Sequence, residues 1–197
     1  MTSQTVYLIR HGQVDGNILN LGRRVTVAAF NHMIDHLPHE SINEAGIAQV
    51  KAIAPAIASF RLSCLYASPL RRAQQTADIL AAETGLPVIT RDDLFELLPA
   101  RLSGPPDRTY TMRGAYVRSG IRLCVPWTRD TETIYRAFRR ARRAWQAMTS
   151  ETRGDFGIVG HQGIFRLLFV WIHLSPHWRL VKGDTRNTGI SIVARQG

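Results

Sequence analysis

The stretch Thr5-Val6-Tyr7-Leu8-Ile9-Arg10-His11-Gly12 determines how the fold begins. Its apolar run predicts a short buried strand over 5–9, and Gly12 stops that strand. The reactive pair Arg10-His11 therefore follows directly on a strand. In open α/β sheets, ligands bind outside the carboxyl ends of the strands. This stretch is therefore expected to form one wall of a binding site.

The rest of the chain alternates between strand and helix patterns. Further strands are predicted at 63–67, 86–90, 156–159 and 189–194, and helices at 43–58, 68–84, 131–148 and 162–174. Asn43 is a suitable N-cap, Pro55 is expected to kink its helix, Pro69 marks the start of the next helix, and Gly85 marks its end. The alternation predicts an α/β fold with a mostly parallel sheet and helices on both faces.

One segment, at about 92–128, lacks a regular pattern and is rich in Pro and Gly. It is expected to form a loop-rich lid or insertion in a single domain that spans residues 1–197. The length of 197 residues suits one well-buried domain.

The composition is that of a globular protein with an arginine-dominated positive charge. The chain has 25 Lys+Arg against 15 Asp+Glu, a formal charge of +10, and only Lys51 and Lys182 are lysines. Guanidinium groups match the oxygens of phosphate in two-pronged geometry. No signal peptide is expected before Arg10, since no apolar stretch there resembles one, and the apolar segment 164–174 is interrupted and too short to span a bilayer. With only Cys64 and Cys124, a cytoplasmic protein without membrane partners is expected, although one disulfide between them stays open.

Four groups of reactive residues fall where strands give way to loops or helices. They are Arg10-His11-Gly12, Arg71-Arg72, Glu96 and Gly160-His161-Gln162-Gly163. Because the strands are mostly parallel, these groups are expected to converge on one pocket. The parts suit phosphoryl transfer. A neutral imidazole attacks phosphorus, arginines stabilise the phosphoryl oxygens, and a carboxylic acid protonates the leaving oxygen. This chemistry needs neither a metal nor another cofactor.

Several motifs resemble those of the histidine phosphatase superfamily, which also contains the cofactor-dependent phosphoglycerate mutases. They occur in the family's order over nearly the whole chain. The motifs are Leu8-Ile9-Arg10-His11-Gly12-Gln13-Val14-Asp15-Gly16-Asn17, Ile42-Asn43-Glu44-Ala45-Gly46, Tyr66-Ala67-Ser68-Pro69-Leu70-Arg71-Arg72-Ala73-Gln74-Gln75-Thr76-Ala77 and Val159-Gly160-His161-Gln162-Gly163. The resemblance implies a phosphoglycerate mutase-like fold, a three-layer α/β/α sandwich with a mostly parallel central sheet.

The resemblance also implies roles for individual residues. His11 would be the nucleophile, Arg10, Arg72 and His161 would form the phosphate pocket, and Glu96 would be the proton donor. Arg72 takes its role rather than Arg71 because it directly precedes Ala73, which matches the family's alanine. Asn17, Arg23 and Gln162 would be further contacts to the substrate or its phosphate. The implied activity is that of a metal-independent phosphatase acting on phosphate monoesters of small anionic metabolites through a phosphohistidine.

Alternatives accompany these expectations. A phosphoglycerate-type phosphomutase is the runner-up, although the chain looks short for one, and a non-catalytic protein that binds anions or nucleic acid is the rival from another class. We do not expect a nucleic acid partner, since few aromatic residues alternate with the arginines of 139–143. A homodimer is left open. His32 and His36 lie four residues apart, but a metal site is not expected there. We also hypothesise that some arginines of the irregular segment hold a second anionic group of the substrate. These are Arg101, Arg108, Arg113, Arg118, Arg122 and Arg129.

Overall fold

A computed structural model describes residues 4–17 and 20–196. The described residues form eight β-strands and six α-helices. The strands are β1 (Thr5–Arg10), β2 (Arg24–Thr26), β3 (Leu65–Ala67), β4 (Val88–Thr90), β5 (Thr109–Thr111), β6 (Phe156–Gly160), β7 (Trp178–Lys182) and β8 (Ile190–Arg195). The helices are α1 (Val27–His36), α2 (Glu44–Ser59), α3 (Arg71–Thr84), α4 (Met112–Cys124), α5 (Ile134–Glu151) and α6 (Gln162–Leu174).

Six of the strands form a central sheet in the order β4-β3-β6-β1-β8-β7. The pairs among β4, β3, β6 and β1 are parallel. On the other side of β1, β8 pairs antiparallel with both β1 and β7. Parallel neighbours require long crossovers, and the helices between these strands provide them. The predicted α/β fold with a mostly parallel sheet is confirmed.

Alternate residues of the strands face two separate cores, which makes the molecule three-layered. Val6 and Leu8 of β1 pack in a cluster with α5 and α6, whereas Ile9 packs in a second cluster with α2 and α3. Side chains alternate across a strand, so a strand buried on both faces is apolar nearly throughout. This explains the continuous apolar run that the sequence shows before Arg10.

The predicted residues at the start of α2 and at the end of α3 are confirmed, whereas the predicted start of α3 is wrong. The side chain of Asn43 caps α2 by accepting from the amide of Gly46 at 2.9 Å, and Gly85 ends α3 in the left-handed conformation at φ 73°. Pro55 lies inside α2, which continues to Ser59. Pro69 is not the first helical residue, because α3 begins at Arg71. The backbone of the preceding Ser68 still pairs with β6, so two further residues are needed before the chain can turn.

The segment expected to be irregular contains regular structure. It includes β5, which pairs with β2, and the 13-residue helix α4, which begins after the N-cap Thr111. Met112, Ala115 and Leu123 of α4 are buried, and the first two form a third hydrophobic cluster with residues of α1. Two glycines, Gly114 and Gly120, concealed the helical spacing of these residues. The elements β2, α1 and β7 were likewise not predicted.

Candidate active site

Two histidines meet at the carboxyl ends of adjacent parallel strands. Arg10 of β1 pairs in register with Gly160 of β6, and the amide of His11 donates to the Gly160 carbonyl at 3.0 Å. The next residue on each strand is therefore a histidine at the same edge of the sheet. The ring centroids of His11 and His161 lie 5.1 Å apart with an interplanar angle of 55°. The structure thus brings these two predicted residues together.

Hydrogen bonds define the state of the His11 ring. Nδ1 lies 2.8 Å from the Gly12 carbonyl oxygen, to which it donates, and Arg72 Nε donates to Nε2 at 3.2 Å. Nε2 therefore carries a lone pair and no proton. Burial, with the nearby Arg72 and Arg10 charges, lowers the pKa of His11 to about 3. The ring is neutral at physiological pH, which is the state in which imidazole is a nucleophile.

Arg72 is held on the same site by contacts with three parts of the chain. Its side chain is buried on α3, and Nη1 donates to the Leu37 carbonyl. Thr76 donates to the Arg72 carbonyl at 2.8 Å and accepts from the Gly12 amide at 3.0 Å, so it ties α3 to the loop after β1. Burial lowers the pKa of Arg72, while Glu96 and Glu40 raise it. The guanidinium stays charged because arginine is not deprotonated in proteins.

The site contains two buried polar atoms whose hydrogen-bonding capacity is unused. His161 is fully buried, and its Nε2 lies 2.7 Å from Ser68 Oγ. Arg10 Nη1 donates to the Thr185 carbonyl at 2.9 Å. Among the described residues, neither His161 Nδ1 nor Arg10 Nε has a hydrogen-bond partner. When the Ser68 hydroxyl donates to Nε2 of the neutral ring, Nδ1 carries the proton. Buried donors without partners are costly, and an oxyanion would satisfy both of them.

Glu96 lies at the N-terminus of α6, near the histidines. Its Oε1 accepts from the amides of Leu97 at 2.8 Å and Ile164 at 3.0 Å, and its Oε2 accepts from the Gly163 amide at 3.0 Å. Burial raises the pKa of Glu96, while these amides and Arg72 lower it. A carboxyl group with a raised pKa is suited to give and take a proton near neutral pH. Glu96 also lines a cavity of about 580 Å³ whose described lining includes neither histidine.

The remaining predicted residues have different environments. The Asn17 side chain is exposed, and its Oδ1 accepts from Asn187 at 2.9 Å. Gln162 donates to the Thr185 hydroxyl at 3.2 Å, so it lies beside the support of Arg10. Arg23 is exposed in the turn before β2, and within 4–17 and 20–196 no hydrogen bond or ion pair joins its side chain to the histidines.

A turn at 184–188 supports the site and was not foreseen from the sequence. Besides binding Arg10 through Thr185, it places Asn187 Nδ2 at 3.3 Å from the His11 carbonyl. The backbone amide of Thr188 donates to the Arg10 carbonyl at 3.1 Å. Most of these contacts involve backbone atoms, which leave no residue-type signature in a sequence. A polar side chain such as that of Asn187 is the kind of residue-type signal that this turn offers.

The arrangement of possible metal ligands and the apolar character of the helices bear on metal binding and on membrane crossing. In the part of the chain that the structure describes, no group of three His, Cys, Asp or Glu side chains is arranged to hold a metal ion. His32 and His36 of α1 contact each other, with their Nε2 atoms 3.1 Å apart. None of the described helices combines the length and the apolar character that crossing a membrane requires.

Comparison with protein families gives one match over nearly the whole chain. Residues 6–197 match the family model of the histidine phosphatase superfamily (branch 1). Uncharacterized protein Rv0525 of Mycobacterium tuberculosis (strain ATCC 25618 / H37Rv) is 35% identical over 105 residues, which are 52% of this chain and 46% of that protein. The matched part is thus about half the length of this curated relative.

Solved structures with the same fold include enzymes of two kinds. A mycobacterial glucosyl-3-phosphoglycerate phosphatase, Rv2419c, superimposes with a TM-score of 0.62 at 22% identity, over 89% of this chain and 82% of that one. A phosphoglycerate mutase from Bacillus anthracis str. Sterne superimposes with a TM-score of 0.66 at 15% identity, over 99% and 89% of the two chains. At these identities the likeness concerns the fold.

Proposed function

The chain belongs to the histidine phosphatase superfamily (branch 1), and we propose that it hydrolyses phosphate monoesters through a phosphohistidine on His11, without a metal. The main support is a pair of buried polar atoms beside a neutral imidazole, His161 Nδ1 and Arg10 Nε, for which the described part of the chain provides no hydrogen-bond partner. The oxygens of a phosphoryl group would accept hydrogen bonds from these two atoms, and its negative charge would pair with the Arg72 guanidinium.

In the first step, the Nε2 lone pair of His11 attacks phosphorus and the P–O bond to the alcohol breaks. Arg72 Nε, which donates to Nε2 in the free enzyme, turns its N–H to a phosphoryl oxygen. Arg10, Arg72 and His161 spread hydrogen bonds over the phosphoryl oxygens, where charge develops in the transition state. Protonated Glu96 gives its proton to the leaving oxygen, so the product departs as a neutral alcohol.

In the second step, the Glu96 carboxylate takes a proton from water as the water oxygen attacks phosphorus. The P–N bond to His11 breaks, and its electron pair returns to Nε2. Inorganic phosphate leaves and Glu96 is again protonated, which restores the starting state. The cavity beside Glu96 gives the alcohol room to depart and gives water room to enter. This opening favours hydrolysis over return of the phosphoryl group to the same molecule.

Rapid-quench labelling with a ³²P-labelled phosphate ester tests the proposal. We expect an alkali-stable, acid-labile phosphohistidine in the wild type, steady release of inorganic phosphate, and loss of both in His11→Ala. His173→Ala, which changes an exposed histidine at the end of α6, serves as the matched control and is expected to retain both. Conversion of one phosphoglycerate isomer to another without free phosphate would establish a mutase instead. Salt-sensitive binding of RNA without any ester hydrolysis would establish a binding protein.

A further inference from the structure

The cavity beside Glu96 is where the alcohol part of a substrate would lie. Glu96 lines this cavity and accepts hydrogen bonds from the amides of Gly163 and Ile164, which closely follow His161 of the phosphate site. Pro38, in another wall, directly follows Leu37, whose carbonyl binds Arg72. The phosphate site and the cavity therefore share one wall residue and one wall segment. The lining of the cavity should decide which alcohols fit.

Both guanidiniums in the cavity wall already have carboxylate partners. Arg101 forms an ion pair with Asp35 at 2.5 Å. Arg140 pairs with Glu132 and also donates to the carbonyl of Phe95 at 2.7 Å. All four charged partners line the cavity. A second anion on the substrate would have to displace a carboxylate from its own guanidinium, so it would gain little and would face repulsion.

A third ion pair completes this pattern. Asp130, also in the cavity wall, is paired with Arg122 of α4 at 2.5 Å. Arg118, on the same helix, lies over the ring of Tyr110 at 4.5 Å. Three of the arginines that the sequence offered as holders of a second anion, Arg101, Arg118 and Arg122, therefore already have partners within the protein. The described lining of the cavity contains four acidic side chains and two guanidiniums, so it offers no excess positive charge to a second anion.

Apart from Thr131 and Glu96, the rest of the lining is apolar. It consists of Ile34, Pro38, Phe95, Leu98 and Pro99. At about 580 Å³ the cavity has the size of a small-molecule site. Apolar walls without excess positive charge favour a group that itself carries no charge.

Resting on the proposed function, we infer that the substrates of this site are phosphate monoesters of uncharged alcohols, and that a second anionic group on the alcohol is rejected. The phosphoryl group supplies the negative charge at the histidines. The alcohol contributes apolar surface and neutral polar groups to the cavity. The three ion pairs act as the specificity determinant, because each removes a guanidinium that a carboxylate or second phosphate would need.

A matched pair of aryl esters tests the inference. We compare kcat/KM for 3-carbamoylphenyl phosphate and 3-carboxyphenyl phosphate, which are nearly isosteric and differ in one charge. The wild type is expected to favour the neutral ester about fivefold, as one like-charge contact near the surface implies. The preference should shrink as salt is raised. Equal kcat/KM values, or a preference for the carboxylate, would overturn the inference.

Three variants assign the effect to the cavity. Glu132→Gln and Asp35→Asn each free a guanidinium, so both should abolish or reverse the preference, with the larger change in the less exposed Glu132–Arg140 pair. Glu83→Gln removes the same charge from the exposed surface of α3 and should keep the wild-type ratio. A preference that persists in both cavity variants contradicts the inference. If neither ester phosphorylates His11, the proposed function itself has failed and this inference falls with it.

Discussion

Replacing Glu96 by Gln separates the two proposed steps. In the structure both carboxylate oxygens accept from backbone amides, Oε1 from Leu97 and Ile164 and Oε2 from Gly163. A glutamine keeps one oxygen and places an NH₂ group against at least one of these N–H donors. The buried N–H that loses its acceptor should lower the free energy of unfolding by about 1–3 kcal/mol. Urea denaturation at pH 7 measures this change.

The kinetic consequence of Glu96→Gln depends on the leaving group. Nitrophenolate leaves without a proton, so phosphorylation of His11 by 4-nitrophenyl phosphate should be nearly as fast as in the wild type. Hydrolysis of the phosphohistidine still needs a base for water, and general base catalysis contributes about 10²–10⁴-fold. The variant should therefore release one equivalent of nitrophenolate in a burst and then turn over slowly. With an alkyl phosphate, whose alkoxide needs the proton, the first step should slow by a similar factor.

Stopped-flow absorbance at 400 nm, together with rapid-quench labelling, follows both steps. Replacing Glu83, on the exposed surface of α3, by Gln is the matched control and should give no burst. A Glu96→Gln enzyme that loses nitrophenolate release and steady turnover equally, without accumulating phosphohistidine, would refute the assignment of Glu96. Unimpaired turnover of alkyl phosphates would refute it as well.

Three further predictions concern stability and the histidines. The pKa of His11 falls from 6.5 to about 3 on folding, and that of His161 falls too, so below pH 6.5 the unfolded chain binds protons that the folded chain lacks. On acidification the free energy of unfolding should therefore drop by up to about 2.7 kcal/mol per pH unit, for two protons. In His11→Asn the drop should be smaller by about 1.4 kcal/mol per pH unit, for the one proton removed, as urea titrations at pH 7 and pH 5 would show. A wild-type slope in that variant would contradict the burial argument. Ser68→Ala removes the hydroxyl that lies 2.7 Å from His161. It should reduce kcat by about tenfold, for one lost hydrogen bond, and change KM less. A changed KM with an unchanged kcat would point to substrate binding instead. A Cβ at Gly12 would lie 2.8 Å from the carbonyl oxygen of Gly46, so Gly12→Ala should lower the free energy of unfolding by roughly 1–3 kcal/mol, and a neutral effect in thermal denaturation would show that α2 yields at no cost.

The site could be predicted where a residue type and its strand-end position coincide. His11, Arg72 and His161 were identified because a strand or helix start precedes each of them, and the structure brings all three together. Arg23 was proposed on a motif position alone, and it lies on the exposed turn before β2. Contacts that depend on backbone carbonyls, such as that between Arg72 and Leu37, could not be predicted from residue types.

The fold was predictable where burial is continuous and uncertain where it is one-sided. Strands β1 and β6 are buried on both faces, so their apolar runs were recognised. Helix α4 buries only a narrow stripe against α1, and its glycines resemble loop residues. Strand β7 is an edge strand with mostly exposed residues. Its short mixture of charged and apolar residues does not distinguish a strand from a loop.

The in-register pairing of β1 with β6 explains how the two rings keep their separation although they lie 150 positions apart in the chain. Their spacing is inherited from a single ladder of main-chain bonds, and residues 98–132, which follow Glu96 in the chain, lie outside that ladder. On our proposal, evolution can therefore rewrite this segment, and with it the choice of alcohol, while the histidines and Glu96 stay unaltered. For an engineer, the same separation identifies residues 98–101 and 130–132 as the place to graft a new specificity onto an unchanged catalyst.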